Sequence, residues 1–156
     1  MHHTKRLLIL TLVGFLTIVP AWATDGRVVQ GAGTTLVTGG TGSPTLAPVL
    51  TKFGVHWRNG QGRLDCLALT PSVAAGAPGS GNFDTNVMYV TGDITAVDIK
   101  GNIATLTGTA MVTGLGAGSN LPFTAVAERG GPGARFVLTV SGLTFEETLL
   151  EGAISF

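Results

Sequence analysis

Apolar residues recur at every second position through much of this chain, most plainly from Val49 to Arg58. There Val49, Thr51, Phe53, Val55 and Trp57 share one side while Lys52, His56 and Arg58 take the other. That two-residue period predicts a half-buried β-strand. Asn59-Gly60-Gln61-Gly62 then reverses the chain. With Gly60 and Gln61 as the central residues of a type II′ turn, Arg58 faces Arg63 and His56 faces Asp65. The same register sets Val55 opposite Cys66, Trp57 opposite Leu64 and Phe53 opposite Ala68. Both apolar sets fall on one face, as a sheet with one buried side requires.

A second region, Asn102 to Gly142, holds three short runs rich in Thr, Val, Ala and Phe between Gly-rich loops. It predicts three consecutive antiparallel strands. A turn at Gly101-Asn102 pairs Ile99 with Ala104 and Val97 with Leu106, leaving Asp98 and Thr105 outside. A turn through Gly130-Gly131-Pro132-Gly133 pairs Ala127 with Phe136, Ala125 with Leu138 and Phe123 with Val140. It also predicts an outward ion pair between Glu128 and Arg135, worth roughly 0.2–1 kcal/mol when exposed.

The remaining segments are less regular. Val28-Val29 and Thr34 to Thr38 are two weak strand signals, and Asn86 to Lys100 reads as a strand bent near Gly92. Pro71 to Asp84 is a long turn-rich loop. Thr144 to Leu149 reads as a single helical turn or an irregular connection, before a last strand from Leu150 to Phe156. No sustained helical period follows the N-terminal segment. Seven or eight strands at hairpin spacing predict an all-β domain, either an antiparallel β-sandwich or a small β-barrel.

The first residues change the setting. His2, His3, Lys5 and Arg6 precede an apolar run from Leu7 to Val19, and Ala21-Trp22-Ala23 supplies an A-x-A cleavage site. Residues 1–23 therefore read as a signal peptide, and residues 24–156 as one secreted or periplasmic domain. Removing Lys5 and Arg6 from nine basic residues leaves seven against nine acidic, with no basic cluster, so nucleic acid is not an expected partner. The 24 glycines and sparse charges suit a compact β domain with many turns. Cys66, the lone cysteine, alternates with Leu64 and Ala68 and reads as a buried small hydrophobe.

Candidate chemistry is thin. His56 with Asp65 is the one His–carboxylate pair the register predicts, and Thr51 or Thr70 would be the nearest nucleophiles. None of them sits in a nucleophile elbow, and the pair is expected on the outer face of a hairpin. One His and one Cys on opposite faces do not make a zinc site. Asp84, Asp93 and Asp98 lack the spacing of a calcium loop. The sequence thus points to no catalytic residue, no metal and no cofactor. Glu146, Glu147 and Glu151 read as solvated charge near the last connection. Trp57 and Tyr89 would stack on a sugar ring if exposed, although alternation places Trp57 with Val55 and Phe53 in the core. The terminal Phe156 would suit an outer-membrane barrel strand, but one Tyr and two Trp cannot build its aromatic girdles, so membrane insertion is not expected.

The stretch GNIATLTGTAMVTG and the following LPFTAVAERGGPGARFVLTVSG resemble small exported bacterial β domains of the post-COAP type. Ala104, Leu106, Thr107, Gly108, Thr109, Val112 and Gly114 match the first strand of that pattern. Phe123, Thr124, Gly131, Pro132 and Gly133 match the next strand and turn. The likeness covers the second half of residues 24–156, with FGVHWRNGQGRLDCLAL fitting the first hairpin loosely. It implies an all-β accessory or surface domain and transfers no catalytic residue.

The expectation is a non-catalytic module with a binding, adhesion or structural role, its partner a carbohydrate or another cell-surface protein. His56, Asp65, Trp57 and Tyr89 are its candidate binding residues. A different class, a small hydrolase or isomerase, would use His56 and Asp65 at a barrel mouth. A third would be a small outer-membrane barrel.

Overall fold

The computed structural model describes residues 27–156, apart from 46, 75, 79 and 80. The expected signal peptide, residues 1–23, lies outside the described residues. Eight strands follow in order: β1 Val28–Gly39, β2 Leu50–Arg58, β3 Gln61–Pro71, β4 Phe83–Lys100, β5 Ile103–Gly114, β6 Gly118–Glu128, β7 Arg135–Val140 and β8 Leu143–Ser155. Each pairs antiparallel with the next, and β8 returns to pair with β1. The sheet is therefore a closed up-and-down barrel rather than a sandwich. Closure satisfies the backbone groups that an open sheet would expose along two edges.

The two-residue period explains what fills it. Phe53 and Val55 of β2, Leu64 and Cys66 of β3, Leu106 of β5, Phe136 and Leu138 of β7 and Ile154 of β8 all point inward and are buried. Phe53 stacks on Phe136 across the interior, with ring centroids 4.9 Å apart and planes 16° from parallel. Trp57 is half-buried and packs against this core. On β4 and β5 the inward positions Gly92 and Gly108 are left small for a neighbour. A Cβ at either would stand 2.8 or 2.9 Å from the ring of Phe123, which covers both glycines.

Registers between β4, β5, β6 and β7 match the hydrophobic pattern: Val97 faces Leu106, Ile99 faces Ala104, and Ala127 faces Phe136. Val97 and Ile99 stay on the inner side because a bulge between Ile94 and Ala96 shifts the alternation by one residue.

Four local readings are corrected. The β2–β3 turn is centred on Asn59 and Gly60, with φ of 53° and 82°, not on Gly60 and Gln61. Asn-Gly suits the paired positive φ values of a type I′ turn. The register consequently moves by two residues, placing His56 opposite Arg63, Phe53 opposite Cys66 and Asp65 opposite Gly54. The two weak signals near the N-terminus are one strand, β1. Thr144 to Leu149 is neither helical nor irregular but part of β8, held between β7 and β1. The side chain of Arg135 meets Glu146 at 3.2 Å, while Glu128 accepts hydrogen bonds from the Arg135 backbone N–H and the Asn102 amide, both at 3.1 Å. Glu146 is reachable because β8 lies beside β7 along this edge.

The two ends of the barrel differ. The end bearing the 59–60 and 101–102 turns is filled by Trp57, Val97, Ile99 and Phe156. There Arg129 lies over the Phe156 ring, 4.5 Å from its centroid. The other end carries the connections around 40–49, 72–82 and 115–117, and there the described residues leave the interior open.

Candidate functional site

At that second end a cavity of about 250 Å³ opens inside the barrel. Thr51 of β2, with Val49 just before it, Cys66 and Ala68 of β3, Met88 and Val90 of β4, and Leu138 of β7 face it. Gly42, Pro44 and Leu115 from two connections frame its entrance. The walls are apolar by the same alternation that builds the core, but here, apart from Phe145, the inward residues are small or medium. They leave space where the opposite half holds Phe53, Phe136 and Trp57.

One carboxyl breaks the apolar lining. Glu147 of β8 points inward between Phe145 and Leu149 and is only 2% exposed. Its cross-strand partner on β7 is Phe136, so the carboxyl sits where the packed half gives way to the cavity. The sequence reading placed Glu147 in solvated charge; the structure places it in the barrel interior. Burial raises the carboxyl from an ordinary 4.5 to about 7, against the opposing pull of hydrogen bonds with Thr35 and Thr51. Among the described residues, no Lys, Arg or His lines the cavity to supply a counter-charge.

The hydroxyl of Thr35, itself buried, reaches both a Glu147 oxygen and the Thr51 carbonyl, the latter at 3.2 Å. A hydroxyl carries one hydrogen and can donate to one of these acceptors at a time. When Glu147 is protonated it can donate to Thr35, which then donates onward to Thr51. All three groups are satisfied, and a neutral carboxyl is the form this pocket favours. Cys66 also faces the cavity; burial above all, and then the Glu147 charge, push its thiol well above the usual range. It behaves as wall rather than nucleophile.

The residues singled out from sequence lie elsewhere. Asp65, Tyr89 and Thr91 are brought together on the outer wall by β3–β4 pairing. The Asp65 carboxylate accepts hydrogen bonds from the Tyr89 hydroxyl at 3.0 Å and the Thr91 hydroxyl at 2.7 Å, and meets Arg63 Nε at 3.2 Å. Partial burial works to raise the Asp65 carboxyl, yet the Thr91 and Tyr89 hydroxyls and the Arg63 guanidinium outweigh it and hold the group below its ordinary value. The hydrogen bond to Asp65 in turn raises the Tyr89 hydroxyl. His56 is exposed on the same outer surface, opposite Arg63. Trp57 points to the closed end, where its buried indole N–H finds no hydrogen-bond partner among the described residues. A shallow concavity of about 260 Å³ adjoins the Arg63–Thr91 corner, bordered by Asp93, Met111 and Asn120. Of the four candidate binding residues, the structure joins Asp65 to Tyr89 and leaves His56 and Trp57 apart from them; none of the four lines the mouth cavity.

Sequence reasoning missed Glu147, although a signal was present. In Thr144-Phe145-Glu146-Glu147-Thr148-Leu149 the alternation that buries Phe145 and Leu149 also turns Glu147 inward. Comparison with protein-family models, curated proteins and solved structures gives no match.

Proposed function

We propose that this chain is a secreted or periplasmic, non-catalytic barrel module that holds a small apolar molecule in its open mouth. The observation that carries the reading is the apolar cavity itself, lined by inward residues of the strands and framed by two connections. Binding sites of this kind are concave, largely apolar and carry few polar groups. Its volume of about 250 Å³ exceeds the roughly 150 Å³ that accommodates benzene in an engineered apolar cavity. The N-terminal targeting pattern and the likeness of the second half to exported β domains support an extracytoplasmic setting.

The distribution of side chains favours an aqueous surroundings over a bilayer. Membrane barrels turn apolar residues outward and polar ones inward. Here the interior is apolar, whereas Lys52, His56, Arg58, Asp93, Arg135 and Glu151 stand exposed on the outer wall. An enzymatic reading built on His56 and Asp65 would need both at the mouth, and both lie on the outer wall.

Toluene tests the proposal without knowledge of the natural ligand. Wild-type protein should bind it in ligand-observed NMR or calorimetry. Ala68→Phe, which projects a ring into the cavity, should weaken binding at least about tenfold while keeping or raising the melting temperature. Equal binding by the two proteins would place the ligand somewhere other than the mouth.

A further inference from the structure

We infer that the mouth cavity selects a ligand with a primary ammonium group on a short apolar body, the ammonium pairing with Glu147. This deepens the binding proposal above and rests on it. Two geometric facts carry the inference: the carboxyl lies at the inner end of an apolar cavity, and among the described residues no cationic side chain lines that cavity. Burying an ionised carboxylate is costly unless a counter-charge accompanies it. The fold has already removed Glu147 from water, so an entering ammonium adds only its own desolvation and supplies the missing partner. A carboxylate ligand would meet repulsion there, and an alcohol would gain a hydrogen bond without the charge.

The surroundings of the carboxyl suit that head group. An ammonium has three hydrogens to donate and no lone pair. Glu147 and the Thr51 hydroxyl offer oxygen acceptors at the cavity from β8 and β2, with the buried Thr35 hydroxyl of β1 bonded to Glu147 behind them. From β3 the one titratable group facing Glu147 is Cys66, which stays a neutral thiol. From β4 and β7 the facing groups are Met88, Val90, Phe136 and Leu138, none of them ionisable. Ligand protonation and Glu147 ionisation therefore set the pH dependence between them. At pH 6 Glu147 is largely protonated, and pairing with an ammonium expels its proton to the buffer.

The test compares n-hexylammonium, hexanol and hexanoate by calorimetry with wild type and Glu147→Gln at pH 6 and pH 8, alongside toluene. The expected result is that wild type at pH 8 binds hexylammonium at least about tenfold more tightly than hexanol, and hexanoate weakest. Glu147→Gln should lose that preference. At pH 6, titrations in two buffers of different ionisation enthalpy should show nearly one proton released per hexylammonium bound and none per hexanol. That measurement needs only wild type and decides the matter even if the variant folds poorly. Equal affinity for hexylammonium and hexanol, or binding without proton release at pH 6, overturns the inference while toluene binding keeps the cavity proposal. Failure of wild type to bind any of the four probes overturns both.

Discussion

Phe136→Ala should destabilise the protein by about 3–5 kcal/mol, the range for truncating a fully buried aromatic ring. Phe136 is 0% exposed and is the bulkiest of the fully buried side chains. It faces Ala127 on β6 and Glu147 on β8, and its ring lies on Phe53 from β2. The aromatic pair contributes about 0.5–1.5 kcal/mol beyond the area it buries. A barrel closed by eight mutually paired strands has little freedom to collapse into the space left behind. Because that space would adjoin the mouth cavity, water could enter it and expose the Glu147 carboxyl. Urea unfolding should therefore show a large drop in midpoint, and Met111→Ala, at a side chain 52% exposed on the outer wall, should change stability by no more than about 0.5 kcal/mol. A loss below about 1 kcal/mol for Phe136→Ala would mean that the ring is not enclosed.

Stability should also fall as pH rises from about 4.5 to 7, and Glu147→Gln should abolish much of that fall. In the folded state the Glu147 carboxyl is raised from 4.5 to about 7 by burial. Below pH 4.5 both folded and unfolded chains hold this proton, and the group is neutral in the balance. Between the two values the unfolded chain releases it and the folded chain retains it, so rising pH favours unfolding. Above pH 7 both states are ionised and the full penalty remains, on the order of 3 kcal/mol. Glutamine keeps the shape and hydrogen-bonding capacity of the neutral acid without the charge. The variant should match wild type near pH 4.5 and exceed its stability by about 2–3 kcal/mol at pH 8. Asp65 acts in the opposite direction: its lowered value contributes stability at neutral pH that disappears as pH falls through the acid range. Paired melts of wild type and Glu147→Gln isolate the Glu147 part, since Asp65 is common to both. A pH-independent difference between them would contradict the placement of Glu147 in the barrel.

Much of the barrel was legible because alternation and turn chemistry agree. The Gly101-Asn102 turn has close-fitting apolar flanks, and the pairings of Val97, Ile99, Ala104 and Leu106 follow from it. The β2–β3 hairpin shows the limit of the same logic. A slip of two residues keeps every side chain on its face, so the hydrophobic pattern is indifferent to it. Only the ability of both Asn59 and Gly60 to take positive φ selects the observed register, and with it His56 loses Asp65 as its opposite neighbour. Closure was not legible either. Pairing between β1 and β8 joins the two ends of the strand order through bulges near Thr34 and Val37, and no local pattern records it.

The site was hidden for a related reason. Three glutamates within six positions read as a solvated group when each is judged by its charge. Strand alternation turns Glu146 out toward Arg135 and Glu147 in, and the register shift between Leu149 and Glu151 turns Glu151 out to accept from the Thr34 hydroxyl at the surface. Asp65 and Tyr89 were singled out as separate candidates, and their meeting depends on the β3–β4 register, which places Tyr89 opposite Leu67 and within reach of Asp65.

The most direct probe of a carboxyl enclosed in the barrel mouth is the titration of Glu147 itself, followed through its side-chain carboxyl ¹³C signal with Glu147→Gln used for assignment. A midpoint near 7 is the predicted result. A midpoint near 4.5, that of a glutamate in open water, would contradict it.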